Sequence, residues 1–159
     1  MATLRSVVLA ATCILGPLVA GAVVGVLTSA SMLSWFPVLN KPWFTPPAWV
    51  FGPVWTVLYL LMGIALYLVI SQGWNDNAVK TGVYLFGLQL VLNLAWSFLF
   101  FGFRSPIAGL VCVILLLAAV IATIVAFHRV SKTAAVLLIP YLAWLCIATA
   151  LNGAILLLN

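Results

Sequence analysis

Five apolar runs dominate this chain, and each is long enough to cross a bilayer as an α-helix. The runs cover approximately residues 7–28, 48–70, 82–101, 107–127 and 134–157. A helix needs about 20 residues to cross the ~30 Å hydrocarbon core. Because backbone N–H and C=O groups find no water partners in lipid, each run is predicted to be helical. The chain is therefore predicted to be a single integral membrane domain over residues 1–159, an all-α bundle of five transmembrane helices.

Charged side chains are scarce, and this composition excludes several classes of protein. Hydrophobic residues make up 67% of the 159-residue chain and charged residues make up 4%. The chain has six basic residues and one acidic residue. Water-soluble domains carry about a quarter charged residues, so a soluble globule is excluded. The basic residues are scattered, so no nucleic-acid partner is predicted. The three cysteines stand singly in apolar runs without metal-binding spacing, so no metal site is predicted.

The cations in the short loops predict an orientation. Because five sequential spans alternate in direction, the loops divide into two groups. The N-terminal side carries Arg5, Lys80, Arg129 and Lys132, and the opposite side carries Lys41 and Arg104. Cytoplasmic loops carry an excess of Lys and Arg. The four-to-two distribution predicts an N-terminus on the inside.

Prolines and glycines mark particular points on the predicted helices. Ser105 followed by Pro106 has the residue types of an N-cap and a first helical position, so the fourth helix is predicted to begin there. Pro140 stands inside the fifth run and is predicted to bend that helix, because proline removes a backbone hydrogen bond. Gly21 and Gly25 form a small-xxx-small pair on the first helix. This pair indicates a close helix contact, a notch that faces a ligand, or ordinary membrane-helix glycine.

Aromatic and amide residues recur at helical spacing on three of the predicted helices. The sets are Phe51, Trp55 and Tyr59; Gln89, Asn93, Trp96 and Phe100; and Trp144, Ala148, Leu151 and Asn152. Each set shares one helix face, and the alternating helix directions place all three sets in the same half of the bilayer. Amides within a membrane helix need partners, so the sets are either interhelical contacts or the wall of a ligand pocket. Their convergence favours the pocket.

The first loop and the start of the second predicted helix together read KPWFTPPAWVFGPVW over residues 41–55 and hold four of the chain's eight prolines. Proline fixes φ and restricts the residue before it, so the loop is predicted to be stiff and non-helical. A stiff segment loses less entropy when it closes over a ligand. The loop is therefore predicted to be a rigid lid over the outer mouth, with Trp43 able to sit inward. Lys41 and Arg104, at the mouth, are candidate contacts for an anionic group.

Four segments together resemble the translocator protein family, also called the tryptophan-rich sensory protein or peripheral-type benzodiazepine receptor family. They are NKPWFTPPAWVFGPVW (40–55), QLVLNLAW (89–96), FFGFR (100–104) and PYLAWLCIATALN (140–152). The resemblance extends over all five predicted helices. It implies a five-helix membrane receptor, often a homodimer, that binds porphyrins such as protoporphyrin IX between the helices beneath the first loop and requires no cofactor.

The resemblance also implies a set of ligand-binding residues. By position these are Trp43, Phe51, Trp55, Asn93, Trp96, Trp144, Ala148 and Leu151. The chain departs from the family pattern in three places. Phe44 stands where most members carry a second-position tryptophan after Lys-Pro, and Ala108 stands where many members carry a tryptophan early in helix 4. The last helix lacks the tyrosine and basic residue of the sterol-recognition pattern. High-affinity cholesterol binding is therefore not predicted, and a bacterial or archaeal cell membrane is favoured over the mitochondrial outer membrane.

Three classes of function are weighed against these residues. The leading hypothesis is a membrane receptor or sensor for a hydrophobic tetrapyrrole. The alternative is a facilitator or transporter of small lipophilic ligands without carboxylate-based proton coupling, since the only acidic residue, Asp76, falls in a loop. No catalytic residues are predicted, because no serine has a histidine and carboxylate to activate it. The one enzymatic activity left open is light-dependent porphyrin degradation.

Overall fold

The structure is a computed structural model, and it describes residues 3–159. The helices are α1 (Leu4–Ser34), α2 (Ala48–Ile70), α3 (Asn77–Ser97), α4 (Pro106–Val130), α5 (Lys132–Leu137) and α6 (Ile139–Leu158). Over this described range the structure contains no β-strand. Five spans are long and apolar enough to cross a membrane, with α5 and α6 forming the fifth. The predicted all-α architecture of five transmembrane helices is confirmed.

The first helix is longer than its apolar run. The sequence prediction covered residues 7–28, whereas α1 spans Leu4–Ser34. Several serines follow the apolar run, and their hydroxyls bond within the helix. Ser29 Oγ donates to Val26 O at 2.7 Å and Ser34 Oγ donates to Ala30 O at 2.7 Å. Because the helix backbone accepts these hydroxyl hydrogen bonds, the serines are compatible with a helix that continues past the hydrophobic stretch.

Proline shapes both of the last two membrane spans. Pro106 opens α4, and the Ser105 hydroxyl before it accepts a hydrogen bond from the Ala108 amide at 3.2 Å, which confirms the predicted N-cap. The fifth span is interrupted at Leu138, two residues before Pro140, so that it consists of α5 and α6 rather than one bent helix. Proline has no amide to donate to the preceding turn, and the helical hydrogen bonding stops there.

A π-helical turn follows α3 and presents two consecutive aromatic rings to the core. The turn covers Phe98–Gly102. Phe100 and Phe101 are both buried, and their ring centroids lie 4.9 Å apart in an edge-to-face arrangement. In a regular α-helix, adjacent residues point about 100° apart. The extra residue in this turn allows both rings to enter the same aromatic cluster.

Helices α1 and α2 cross closely in one half of the bundle and diverge in the other. A Cβ built on Gly63 of α2 would lie 2.6 Å from the Cα of Ile14 on α1, so no side chain fits at the crossing. Gly21 of α1 lies directly against the ring of Tyr59. Closer to the first loop, Cβ atoms built on Gly25 and Gly52 would have no heavy atom within 4 Å. The helix pair therefore opens toward the first loop.

Hydrogen bonds from Lys41 and Asn40 hold the first loop to the segment after α1 and to the end of α6. The Lys41 ammonium donates to the carbonyls of Phe36, Pro37 and Leu39 at 3.0, 2.9 and 2.9 Å. The neighbouring Asn40 pairs with the end of α6. Its amide donates to the side-chain oxygen of Asn159 at 3.0 Å, and the Asn159 side-chain nitrogen donates to the Asn40 carbonyl at 3.0 Å. These contacts hold the loop against the bundle, and its action as a lid stays a prediction.

Candidate functional site

A large cavity of about 600 Å³ lies where α1 and α2 diverge, and the end of α3 closes it on the third side. We call this space the large cavity. Its aromatic residues are Phe51, Trp55, Tyr59, Trp96 and Phe101, and its α1 residues include Leu18, Gly21, Ala22, Gly25, Thr28 and Met32. The aromatic rings form one side, while small and aliphatic residues of α1 form the other. The volume falls within the ~300–1,000 Å³ range of small-molecule pockets.

A second space lies under the first loop, between α2, α3 and α6, and it is nearly filled. We call it the small void, because its volume is about 20 Å³, close to the space that one water molecule needs. Phe36 packs into this region, with its ring centroid 6.2 Å from Phe51 and 5.7 Å from Phe101. Phe51 in turn meets Trp144 at 5.8 Å. The protein's own aromatic rings therefore fill most of the space beneath the loop.

The predicted ligand-binding residues divide between these two spaces. Phe51, Trp55 and Trp96 line both, and we call these three residues the shared wall. Trp144, Ala148 and Leu151 line the small void and not the large cavity. The prediction of one hollow beneath the loop is therefore wrong. The structure has two spaces separated by the shared wall, and ligand binding by these residues stays a prediction.

Trp43 and Asn93, the other two predicted binding residues, line neither space. The Trp43 side chain is 95% exposed and contacts the ring of Phe44 edge to face at 5.8 Å. The expectation of an inward-facing Trp43 is therefore wrong for this structure. The prolines stiffen the loop, but they do not determine which way the indole between them points.

Asn93 organises a buried polar cluster behind the cavity. Its side-chain oxygen accepts a hydrogen bond from the Tyr59 hydroxyl, and its nitrogen donates to the Tyr141 hydroxyl at 2.8 Å. All three residues are buried, and they connect α3 to α2 and α6. Because Tyr59 also lines the large cavity, Asn93 holds a wall residue in place. Its role in the structure is to position Tyr59.

A second amide fixes the orientation of Trp96. The indole Nε1 of Trp96 donates to the side-chain oxygen of Asn152 at 3.2 Å, and the Asn152 nitrogen donates to the Pro106 carbonyl at 2.8 Å. The Trp96 ring is stacked on Phe100, with centroids 5.5 Å apart and planes 13° apart. Hydrogen bonding at one edge and stacking on one face hold the indole in the shared wall.

The two candidate cations have different surroundings. All three ammonium donors of Lys41 are directed to backbone carbonyls of the first loop, so Lys41 serves the loop and has no donor left for an anion. Arg104 is exposed, has a left-handed φ of 53°, and makes one long hydrogen bond from Nε to Ser31 Oγ at 3.4 Å. Ser31 precedes Met32, which lines the large cavity, although Ser31 itself does not line it. Of the two candidate cations, Arg104 is the one whose guanidinium is exposed and not taken up by backbone carbonyls.

Sequence reasoning missed the α1 side of the site. Leu18, Ala22, Thr28 and Met32 line the large cavity, yet none of them differs from an ordinary membrane-helix residue. The one available signal was the Gly21/Gly25 pair, whose interpretations included a close contact and a notch. The structure contains both, since Gly21 lies against Tyr59 and Gly25 borders open space.

The chemistry of the site is that of aromatic faces, hydroxyls and amides. Within residues 3–159, no three His, Cys, Asp or Glu side chains come together in a way that could hold a metal ion. The amide of Gln89, one helical turn before Asn93, is buried and has no hydrogen-bond partner among these residues. The surfaces that this site offers are therefore mainly aromatic rings and aliphatic side chains.

The sequence matches the TspO/MBR family over residues 13–158, which is nearly the whole chain. The chain belongs to the TspO/MBR family. Among TspO/MBR proteins it is 53% identical over 133 residues to the Tryptophan-rich protein TspO of Archaeoglobus fulgidus, covering 83% of this chain and 84% of that protein. It is 47% identical over 122 residues to the human Translocator protein, covering 76% and 72% of the two chains. It is 38% identical over 125 residues to the Tryptophan-rich sensory protein of Cereibacter sphaeroides, covering 79% and 77%.

Membership of the TspO/MBR family confirms the resemblance inferred from the four sequence segments. Together with the five apolar spans, it establishes a multi-pass membrane protein of a family of membrane sensors and receptors. The three named relatives come from an archaeon, from human and from a bacterium. The inside location of the N-terminus stays a prediction.

Proposed function

We propose that this TspO/MBR protein is a membrane receptor that binds a flat hydrophobic tetrapyrrole, such as protoporphyrin IX, in the large cavity. The observation that carries the proposal is the combination of a volume of about 600 Å³ with a wall of indole rings. A cavity of this size accommodates a drug-sized or larger planar molecule. The sequence expectation placed the ligand beneath the loop, whereas this proposal places it on the α1 side of the shared wall.

Stacking supplies the physical basis for recognising a planar ring system. Trp55 and Tyr59 lie with centroids 5.6 Å apart and planes tilted by 31°, so they offer the cavity neighbouring aromatic surfaces. Trp96 adds a second indole, fixed by Asn152. Offset aromatic contacts contribute about 0.5–1.5 kcal/mol each beyond the area they bury. Several such contacts on one ligand favour an extended aromatic molecule over an acyl chain.

Quenching of tryptophan fluorescence by protoporphyrin IX in nanodiscs tests this location. Thr28 is buried on the α1 side of the large cavity, while Ala148 borders only the small void. Thr28→Phe should weaken binding about tenfold or more, because the added ring occupies ligand volume, an effect of about 1.4 kcal/mol. Ala148→Phe should leave the affinity near that of the unmodified protein. Ala118→Phe, on an exposed face of α4, is the matched control for adding an aromatic ring.

Two results would contradict this placement. If the unmodified protein shows no saturable quenching, the tetrapyrrole proposal is wrong. If Ala148→Phe abolishes binding while Thr28→Phe does not, the ligand occupies the space beneath the loop, and Phe36 must move to admit it. Each variant should first be shown to keep the thermal stability of the unmodified protein.

The charge of the ligand should be recognised by Arg104 rather than by Lys41. Arg104→Gln is expected to weaken binding of the porphyrin dicarboxylate about two- to fivefold, the effect of an exposed ion pair, and less at high salt. Binding of the uncharged dimethyl ester should not change. Lys41→Gln, the matched control, should affect acid and ester equally, because Lys41 bonds only to the loop. Equal losses for acid and ester in Arg104→Gln would exclude Arg104 as the anion contact.

A further inference from the structure

We propose that the ligand reaches the large cavity sideways from the lipid, through the space between α1 and α2. We call this space the lateral gap and define it by Ala22 and Gly25 on α1 and by Gly52 and Thr56 on α2. All four residues line the large cavity and are exposed rather than covered by packed side chains. This inference rests on the function proposed above and adds the route by which the ligand enters and leaves.

The lateral gap results from the way the two helices cross. Gly63 allows α2 to touch the backbone of α1 at Ile14, and Gly21 allows contact with Tyr59. Beyond these points the helices separate, and Cβ atoms built on Gly25 and Gly52 would meet nothing within 4 Å. A helix pair that is held together at one end and splayed at the other leaves an opening in the wall of the bundle. The large cavity lies directly behind this opening.

The rim of the lateral gap suits the hydrocarbon part of a bilayer. Gly52 and Thr56 lie about 6 and 12 Å along α2 from its start at Ala48, at a rise of about 1.5 Å per residue. The Thr56 hydroxyl donates to the Gly52 carbonyl at 2.9 Å, and the Thr28 hydroxyl donates to the Val24 carbonyl at 2.9 Å. Since these donors are satisfied within their own helices, neither the Thr56 hydroxyl at the gap nor the Thr28 hydroxyl behind it needs a water partner. A planar apolar molecule dissolved in the leaflet passes such a rim without losing hydrogen bonds to water.

The aqueous route under the first loop is closed by several contacts. Phe36 is buried among Phe51, Phe100 and Phe101, which blocks the way from the loop through the small void to the shared wall. The Lys41 ammonium holds the carbonyls around Phe36. The pairing of Asn40 with Asn159 ties the loop to α6. Passage from water would require these contacts to break, whereas the lateral gap needs no such rearrangement.

Stopped-flow quenching by protoporphyrin IX in nanodiscs tests the route by measuring association and dissociation rates separately. Gly25→Phe and Gly52→Phe place rings in the lateral gap, where open space admits them. The association rate should fall about tenfold, a barrier increase of about 1.4 kcal/mol, and the dissociation rate should fall as well, whereas loss of ligand volume in the large cavity would by itself raise the dissociation rate. Gly16→Phe, on the same helix and also bordered by open space, is the matched control and should leave both rates unchanged.

Loosening the first loop provides the opposite test. Asn159→Ala removes the pairing with Asn40, and it should leave the association rate unchanged if the ligand passes through the lateral gap. A faster association in Asn159→Ala, or unchanged rates in Gly25→Phe and Gly52→Phe, overturns the lateral route. A faster dissociation alone in the glycine variants also overturns it, because those positions then act only as cavity wall. Absence of saturable binding in the unmodified protein would instead refute the proposed function.

Discussion

Gly63→Leu is expected to lower the Tm of the purified protein by roughly 6–12 °C, which corresponds to about 3 kcal/mol for a chain of this size. A Cβ at this position would lie 2.6 Å from the Ile14 Cα and 2.7 Å from the Cys13 carbonyl oxygen. Both obstacles are backbone atoms, so no side-chain rotation relieves the overlap. Helices α1 and α2 must separate, and the packing that small residues provide between membrane helices is lost.

Gly16→Leu is the matched control for this prediction. A Cβ on Gly16, also on α1, would meet no heavy atom within 4 Å. Leucine there should leave the Tm unchanged or raise it slightly, since glycine is the weaker helix former. Thermal unfolding in one detergent, followed by circular dichroism, compares the two variants. Equal Tm values for both would mean that the crossing at Gly63 does not hold α1 to α2.

Asn93→Leu is expected to destabilise the protein by about 2–3 kcal/mol, because it leaves two buried hydroxyls without their partner. In the structure the Asn93 amide bridges the hydroxyls of Tyr59 and Tyr141. Leucine has a similar size, so the change removes hydrogen bonds rather than volume. For a chain of this length the loss corresponds to a Tm decrease of roughly 5–10 °C.

Removing the orphaned hydroxyls should restore much of this stability. In the triple variant Asn93→Leu, Tyr59→Phe, Tyr141→Phe, no buried polar atom of the cluster remains unpaired, and the Tm should recover by at least half. The protoporphyrin affinity should fall in Asn93→Leu, because Tyr59 lines the large cavity and loses its anchor. A triple variant no more stable than Asn93→Leu would show that the loss comes from packing and not from hydrogen bonding.

The sequence alone determined the number and type of the spans. Each of the five apolar runs is long enough to span a bilayer, and lipid offers the backbone no water to bond. With so few charged residues, the chain is therefore predicted to fold as a five-helix membrane bundle. Local rules also located the Ser105 N-cap and the irregularity near Pro140, because each depends on residues within one helical turn. Four segments, at residues 40–55, 89–96, 100–104 and 140–152, together were enough to indicate the family. Such features depend on residues close together in the sequence, so they can be predicted without knowledge of the tertiary structure.

The tertiary structure decided which of these residues meet, and around which space. Helical spacing places Trp96 and Trp144 on defined faces, but it does not show that Phe36 fills the region between them. A π-helical turn brings Phe101 into the same cluster, and no periodicity signals it. Lys41 carries the positive charge that an anion contact needs, yet its ammonium donates to three backbone carbonyls of its own loop.

The position of the large cavity is the clearest case of a feature that only the fold determines. It exists because two glycines, Gly21 and Gly63, let α1 and α2 touch in one part of the bundle, whereas around Gly25 and Gly52 the two helices leave open space. A crossing angle depends on the shapes of two helix surfaces together, and neither surface is readable from its own pattern. The tryptophans predicted the aromatic side of the site. The α1 side consists of small and aliphatic residues that no sequence pattern distinguishes, so only the packed structure identifies it.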